Sequence, residues 1–96
     1  MEFLGAGTVV TGASGGIGDA LSRRFHALGA RVVVSDVEAS GISALATELN
    51  AARPNSVLAV VADVASEQGN KELVASARQF LSQDGHSGID LFFANA

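Results

Sequence analysis

The stretch TVVTGASGGIG, residues 8–18, carries four β-branched residues straight into four glycines within seven positions, and a large apolar side chain returns only at Ile17. A short, continuous run of this kind is what a strand buried on both faces looks like. The glycines mark a place where the chain must turn sharply or let another group come close to its backbone. Just beyond them Ile17, Ala20, Leu21, Phe25 and Leu28 recur at helical spacing, which predicts an amphipathic helix with those residues inward. Residues 8–28 therefore read as strand, turn, helix.

The pattern repeats along the chain. Val-, Ile- and Phe-rich runs at 31–35, 57–61 and 89–94 read as three more buried strands. Two further helices are predicted from Ile42, Leu45, Ala46 and Leu49, and from Leu73, Val74, Ala77, Phe80 and Leu81. Gly29 closes the first helix, Pro54 and Asn55 follow the second, Ser66 suits an N-cap of the third, and Gly85 and Gly88 follow its end. Alternating β-α-β-α-β-α-β implies a parallel sheet with helices on both faces and ligands at the carboxyl ends of the strands. The expected strand order is 3-2-1-4, the first half of a doubly wound α/β sheet plus the strand that begins the second half. That last strand, with Phe92 and Phe93 adjacent, is expected at an open apolar edge that needs a cover. Phe3 and Leu4 are expected to pack beneath the first strand.

Ninety-six residues hold one domain at most. With 48% hydrophobic and 17% charged residues the chain belongs with packed globular proteins rather than disordered ones. Its net charge of −4 and six scattered Lys and Arg argue against nucleic acid or an anionic membrane as partner. No cysteine is present, which excludes disulfides and thiol chemistry. No apolar run approaches the roughly 20 residues of a membrane helix, and the N-terminal MEFLGAG has no basic segment typical of a secretory signal, so a soluble, cytoplasmic chain is expected.

Each glycine of the turn meets a different demand: Gly12 lets the chain turn, Gly16 lets a ligand approach the backbone, and Gly18 lets the helix pack closely on the sheet. Ser14, Gly15 and Ile17, in the same loop and first helical turn, are candidates with them. The helix N-terminus offers unpaired N–H groups and a positive dipole end to a pyrophosphate. A glycine turn that only connects strand to helix is the structural alternative, and the absence of Gly-Lys-Ser/Thr excludes a P-loop. Asp36 lies at the end of the second strand, 24 positions after Gly12, where dinucleotide-binding folds place the acid that takes a ribose 2′-hydroxyl. Its alternative is a capping or turn aspartate. A 2′-phosphate would be repelled by Asp36, and neither Val37 nor Gly15 supplies a compensating positive charge, so NAD is favoured over NADP.

TGASGGIG resembles the T-G-x-x-x-G-x-G signature of the short-chain dehydrogenase/reductase family, a Rossmann-type fold. Asp36, ADVAS from residue 62, and NA at the end of the fourth strand match in order, so the resemblance spans the whole chain. It implies that Asp63 contacts the adenine amino group and that Val64 packs on or bonds near the ring. It also implies that Asn95 and Ala96 lie by the adenosine ribose and brace the sheet. Capping and strand-end roles are the alternatives for Asp63 and Asn95. Two departures stand out. Ala94 occupies the first Asn of the family's N-N-A-G pattern, and the family's catalytic Ser and Tyr-x-x-x-Lys lie downstream of the segment that matches.

The sequence has no tyrosine. The chain thus reads as the cofactor-binding part of one incomplete domain, without catalytic residues of its own and inactive alone. The full-length form would be a homo-oligomer transferring hydride between a nicotinamide cofactor and an alcohol or carbonyl substrate. A non-catalytic dinucleotide-binding module and an S-adenosylmethionine-binding methyltransferase remain as alternatives. His26 and His86 have no second ligand at metal spacing and read as surface or packing residues. Asp19 suits the positive end of the first helix, and Lys71, Glu72 and Arg78 read as a solvated helix face.

Overall fold

A computed structural model describes residues 4–83 and 88–95. Phe3, Gly85, His86 and Ala96, named above, lie outside the described residues. The elements follow the alternation read from the sequence: β1 (Gly7–Thr11), α1 (Gly16–Ala27), β2 (Arg31–Asp36), α2 (Ala39–Ala52), β3 (Val57–Val61), α3 (Glu67–Leu81) and β4 (Leu91–Phe93). All pairings are parallel and the strand order is β3-β2-β1-β4. Val9 sits beside Val33 on one side and Phe92 on the other, so β1 lies at the centre.

The period-2 alternation of the strands divides the core. Val10, Val32 and Val34 project to one face and pack with Phe25 of α1 and Ile42, Leu45 and Leu49 of α2. Val9 and Val33 project to the other and pack with Leu73, Ala77, Phe80 and Leu81 of α3. This two-sided burial is why β1 and β2 read as unbroken apolar runs rather than alternating ones. Ser66 caps α3 as expected, its Oγ accepting from the Gly69 amide at 2.9 Å. Gly29, at φ +97, ends α1 in the left-handed conformation that suits glycine. Lys71, Glu72 and Arg78 are exposed.

The inward face of α1 differs from the sequence reading. Ile17 is 69% exposed, and Ala20 and Leu28 are also exposed. The buried residues are Gly18, Ser22, Phe25 and His26, with Leu21 partly covered. The cause is the close seat of the helix on the glycine turn. A Cβ at residue 18 would strike the Gly12 carbonyl, so the small-residue stripe faces in and Ile17 is turned outward. Leu4 is likewise exposed, at 84%, and touches Gly29 from outside rather than packing beneath β1.

At the fourth strand only Leu91–Phe93 pair with β1, fewer than the run at 89–94 suggested. Asp90 precedes them, its carboxylate Oδ2 accepting from the Gly7 amide at 2.7 Å. Phe93 turns inward against Phe25, ring centroids 5.0 Å apart, whereas Phe92 is 42% exposed. The apolar edge is therefore Phe92's side of β4.

The amino end of the sheet is closed by polar bonds. The Arg53 guanidinium donates to the carbonyls of His26 and Ala30, and the Ser56 hydroxyl donates to the Arg53 carbonyl. With its proton so used, Ser56 Oγ accepts from His26 Nε2 at 2.8 Å. Burial, reinforced by the nearby Arg53 charge, lowers the His26 pKa below its ordinary 6.5. Well above pH 6.5 the imidazole is neutral in both folded and unfolded chains and adds no pH slope. Below it, the unfolded chain takes up a proton that the folded chain resists, so stability declines from pH 6.5 downward until the folded imidazole also titrates. Urea midpoints of the full chain between pH 7.5 and 5 are expected to fall more steeply than those of His26→Gln. Parallel curves would show that His26 carries none of the slope.

Candidate functional site

The carboxyl ends of all four strands open on one cleft of about 680 Å3. Its walls are the turn after β1 (Thr11, Gly12 and Ser14–Ile17), the end of β2 (Ser35–Val37), the segment after β3 (Ala62–Ala65), and Asn95 after β4. Such convergence at the point where strand order reverses is where open α/β sheets bind ligands.

Gly12 takes φ +62, and a Cβ there would collide with the Asn95 carbonyl. Gly18 lies buried beneath the cleft rather than on its wall, freeing α1 to approach the turn. Gly16 behaves differently, because a Cβ there would meet nothing within 4 Å among the described residues. The protein itself does not require glycine at that position, and the space above it belongs to the cleft. No side chain caps α1 at Gly15. The first-turn amides of a helix have no partner within it, so they and the positive dipole end are available to an anion in the cleft. Asp19, in this first turn, bonds Arg23 at 2.7 Å, and Arg23 pairs in turn with Glu48 of α2.

Asp36 is the most elaborately held acid of the cleft. Its Oδ2 accepts from the Ser14 hydroxyl at 2.5 Å and from the Ser14 amide at 3.2 Å, and Oδ1 accepts from the Val37 amide at 2.7 Å. The Ser14 hydroxyl bond is the main cause that holds the Asp36 carboxyl below the usual carboxylate range, outweighing the opposing effect of partial burial. Val37 is 62% exposed on the rim.

Asp63 combines the two readings given to it. Its Oδ1 accepts from the Ala65 amide at 3.0 Å and its carbonyl from Ser66, a turn-forming role, while the residue also lines the cleft. Val64 is half-buried against the α3 side of the core and lines the same wall. Asn95 ties β4 to β1: its amide donates to Thr11 Oγ1 at 2.9 Å, and its Nδ2 donates to the Gly12 carbonyl at 3.4 Å. Thr11 Oγ1 donates onward to the Phe93 carbonyl at 3.3 Å.

Sequence reasoning missed Thr11, Ser35, Ala62 and Ala65 on these walls. Thr11 looked like the last residue of a strand. Ser35 is fully buried and its hydroxyl has no partner among the described residues. The one signal for it was a lone hydroxyl following three valines, directly before Asp36.

A parallel 3-2-1-4 sheet, a glycine turn opening the first helix and an acid ending the second strand define a nucleotide-binding half of a doubly wound fold. Residues 7–96 match the short chain dehydrogenase family, and the chain belongs to it. The 1-deoxy-11-beta-hydroxypentalenate dehydrogenase of Streptomyces avermitilis is 46% identical over 77 residues, covering 80% of this chain and 28% of that protein. The 2,3-dihydroxy-2,3-dihydro-p-cumate dehydrogenase of Pseudomonas putida is 40% identical over 77 residues, covering 80% of this chain and 30% of that one. Among solved structures, a short-chain dehydrogenase/reductase from Burkholderia phymatum in complex with NAD superposes with a TM-score of 0.89 at 29% identity, covering all of this chain and 32% of its own. The chain thus spans about a third or less of the length of these relatives. Among the described residues no helix is long and apolar enough to cross a membrane.

Proposed function

We propose that residues 1–96 form the NAD-binding part of a single oxidoreductase domain, one that moves hydride between a nicotinamide dinucleotide and an alcohol or carbonyl substrate. The observation that carries this reading is the Asp36 carboxylate, held ionised on the cleft wall by Ser14 of the glycine turn that leads into the uncapped start of α1. In this arrangement the α1 amides and Gly16 receive the pyrophosphate, and Gly12 and Gly18 shape the turn that presents them. Asp36 accepts from the adenosine ribose hydroxyls, with Ser14, Gly15, Ile17 and Val37 around it. Asp63 and Val64 flank the adenine, and Asn95 lies towards the ribose while holding β4. Bound NAD supplies the hydride acceptor or donor, and these residues bind and orient it. The relatives named above are dehydrogenases, one of them solved with NAD.

The 96 residues contain no tyrosine for the general acid/base role that the family resemblance implies, so by themselves they bind cofactor without turnover. A cytoplasmic location and a homo-oligomeric full-length form belong to the same proposal. Isothermal titration of the full chain with NAD+, NADP+ and S-adenosylmethionine tests it. Heat of binding with NAD+, weaker heat with NADP+ and none with S-adenosylmethionine are expected. Absence of NAD+ binding would overturn the reading. No absorbance change at 340 nm when alcohols are added with NAD+, or carbonyls with NADH, is the expected behaviour of these residues alone.

A further inference from the structure

Gly41 stands in the first turn of α2, half-buried and away from the walls of the cleft. Glycine weakens a helix relative to alanine, so its presence there calls for a local reason. The space it leaves supplies one. A Cβ at residue 41 would lie 2.6 Å from the Cβ of Ser14 and 3.6 Å from its Cα. Neither atom is the free end of a flexible side chain, so the loop itself would have to retreat from α2. That loop carries the amide and hydroxyl that both close on Asp36 Oδ2. Going from 2.6 Å to ordinary contact at 3.4 Å takes a retreat of about 0.8 Å, which would lengthen both bonds at once and release the carboxylate from one of its two sides, leaving the Val37 and Glu38 amides on the other.

On the reading of the cleft as an NAD site, we infer that Gly41 is a specificity-determining position: its missing side chain lets Ser14 latch the carboxylate that separates a 2′-hydroxyl from a 2′-phosphate. A latched, ionised Asp36 presents fixed acceptors to the ribose and fixed negative charge to a phosphate. Once unlatched, the carboxylate swings, the ribose loses a preorganised partner, and the phosphate meets less repulsion. Gly41 touches neither nucleotide and is a positioning residue acting through Ser14.

The test is isothermal titration of NAD+ and NADP+ into the full chain and its variants. Gly41→Ala is expected to weaken NAD+ about tenfold, the scale of one loosened hydrogen bond to a charged group, and to change NADP+ little, so that the preference ratio contracts. Ser14→Gly, which removes the hydroxyl without crowding α2, should contract the ratio in the same direction and serves if Gly41→Ala fails to fold. In the Asp36→Ala background, Gly41→Ala should leave the ratio where Asp36→Ala put it. An unmoved ratio in Gly41→Ala, or in Ser14→Gly where only that variant folds, overturns the inference. An equal contraction from Gly41→Ala with Asp36 absent does so too. Failure of the unaltered chain to bind either nucleotide overturns the NAD reading and the inference with it, whereas NAD+ binding with an unmoved ratio overturns the inference alone.

Discussion

Asp36→Ala is expected to weaken NAD+ binding by about 10- to 100-fold while weakening NADP+ far less, because hydrogen bonds to a charged group contribute about 1.5–3 kcal/mol each. The carboxylate supplies two effects that the substitution removes together. It accepts from ribose hydroxyls, and it repels a 2′-phosphate, for which neither Val37 nor Gly15 provides a counter-charge. Ser14 would then be left with a hydroxyl and an amide facing the cleft without their acceptor, and both suit a phosphate oxygen. Titrating the two nucleotides separates these effects, since loss of the acceptor lowers NAD+ affinity and loss of repulsion spares NADP+. Equal affinities before and after the substitution would remove Asp36 from the site. The pH dependence has a defined sign. An acid whose pKa is lowered keeps its charge until the pH falls through that lowered value, so the Asp36 contribution to NAD+ affinity is flat from pH 8 to 5 and is lost only below the ordinary carboxylate value of 3.8.

How far the sequence could be read depended on how local each cause was. The valines of β1 and β2 announced buried parallel strands because burial on both faces leaves an unbroken apolar run, and the order β3-β2-β1-β4 is the one expected of a doubly wound sheet of the dinucleotide-binding kind. The inward face of α1 was misassigned because the pattern weighed Ile17 and Leu28 by hydrophobicity. The packing is decided instead by how closely Gly18 and Ser22 allow the helix to approach the sheet. Asp36 and the glycine turn were visible as motifs. The latch between Asp36 and Ser14, 22 positions apart, was not, and neither was the reason for Gly41, since both are contacts between elements that only the fold brings together. Asp63 shows a different limit. A turn-forming aspartate and an adenine-facing one carry the same letter, and this residue forms the turn while standing on the cleft wall.

Gly12→Ala is expected to lower the unfolding free energy by roughly 2–5 kcal/mol. The left-handed backbone accounts for about 1–2 kcal/mol of this, and forcing a methyl against a packed neighbour for about 1–3 kcal/mol. Residue 12 sits at φ +62 with the Asn95 carbonyl where its Cβ would go. The same carbonyl belongs to the residue whose amide and Nδ2 hold β4 to Thr11 and Gly12, so the strain spreads to the pairing of β1 with β4. Against a whole-domain stability of about 5–15 kcal/mol, such a loss is a large share and shifts the unfolding midpoint clearly. Gly16→Ala provides the contrast. Its Cβ meets no protein atom within 4 Å, and alanine inside a helix is favoured over glycine by roughly 0.5–1 kcal/mol, so the folded chain should be as stable or more so. The added methyl stands on the wall of the cleft where the pyrophosphate is proposed to lie, and NAD+ affinity should fall. Urea unfolding and NAD+ titration of the two full-chain variants therefore give opposite pairs of results if the two glycines serve different ends. An unchanged midpoint for Gly12→Ala would show that the Asn95 carbonyl yields easily. Undiminished NAD+ affinity in Gly16→Ala would place the ligand elsewhere than over the start of α1.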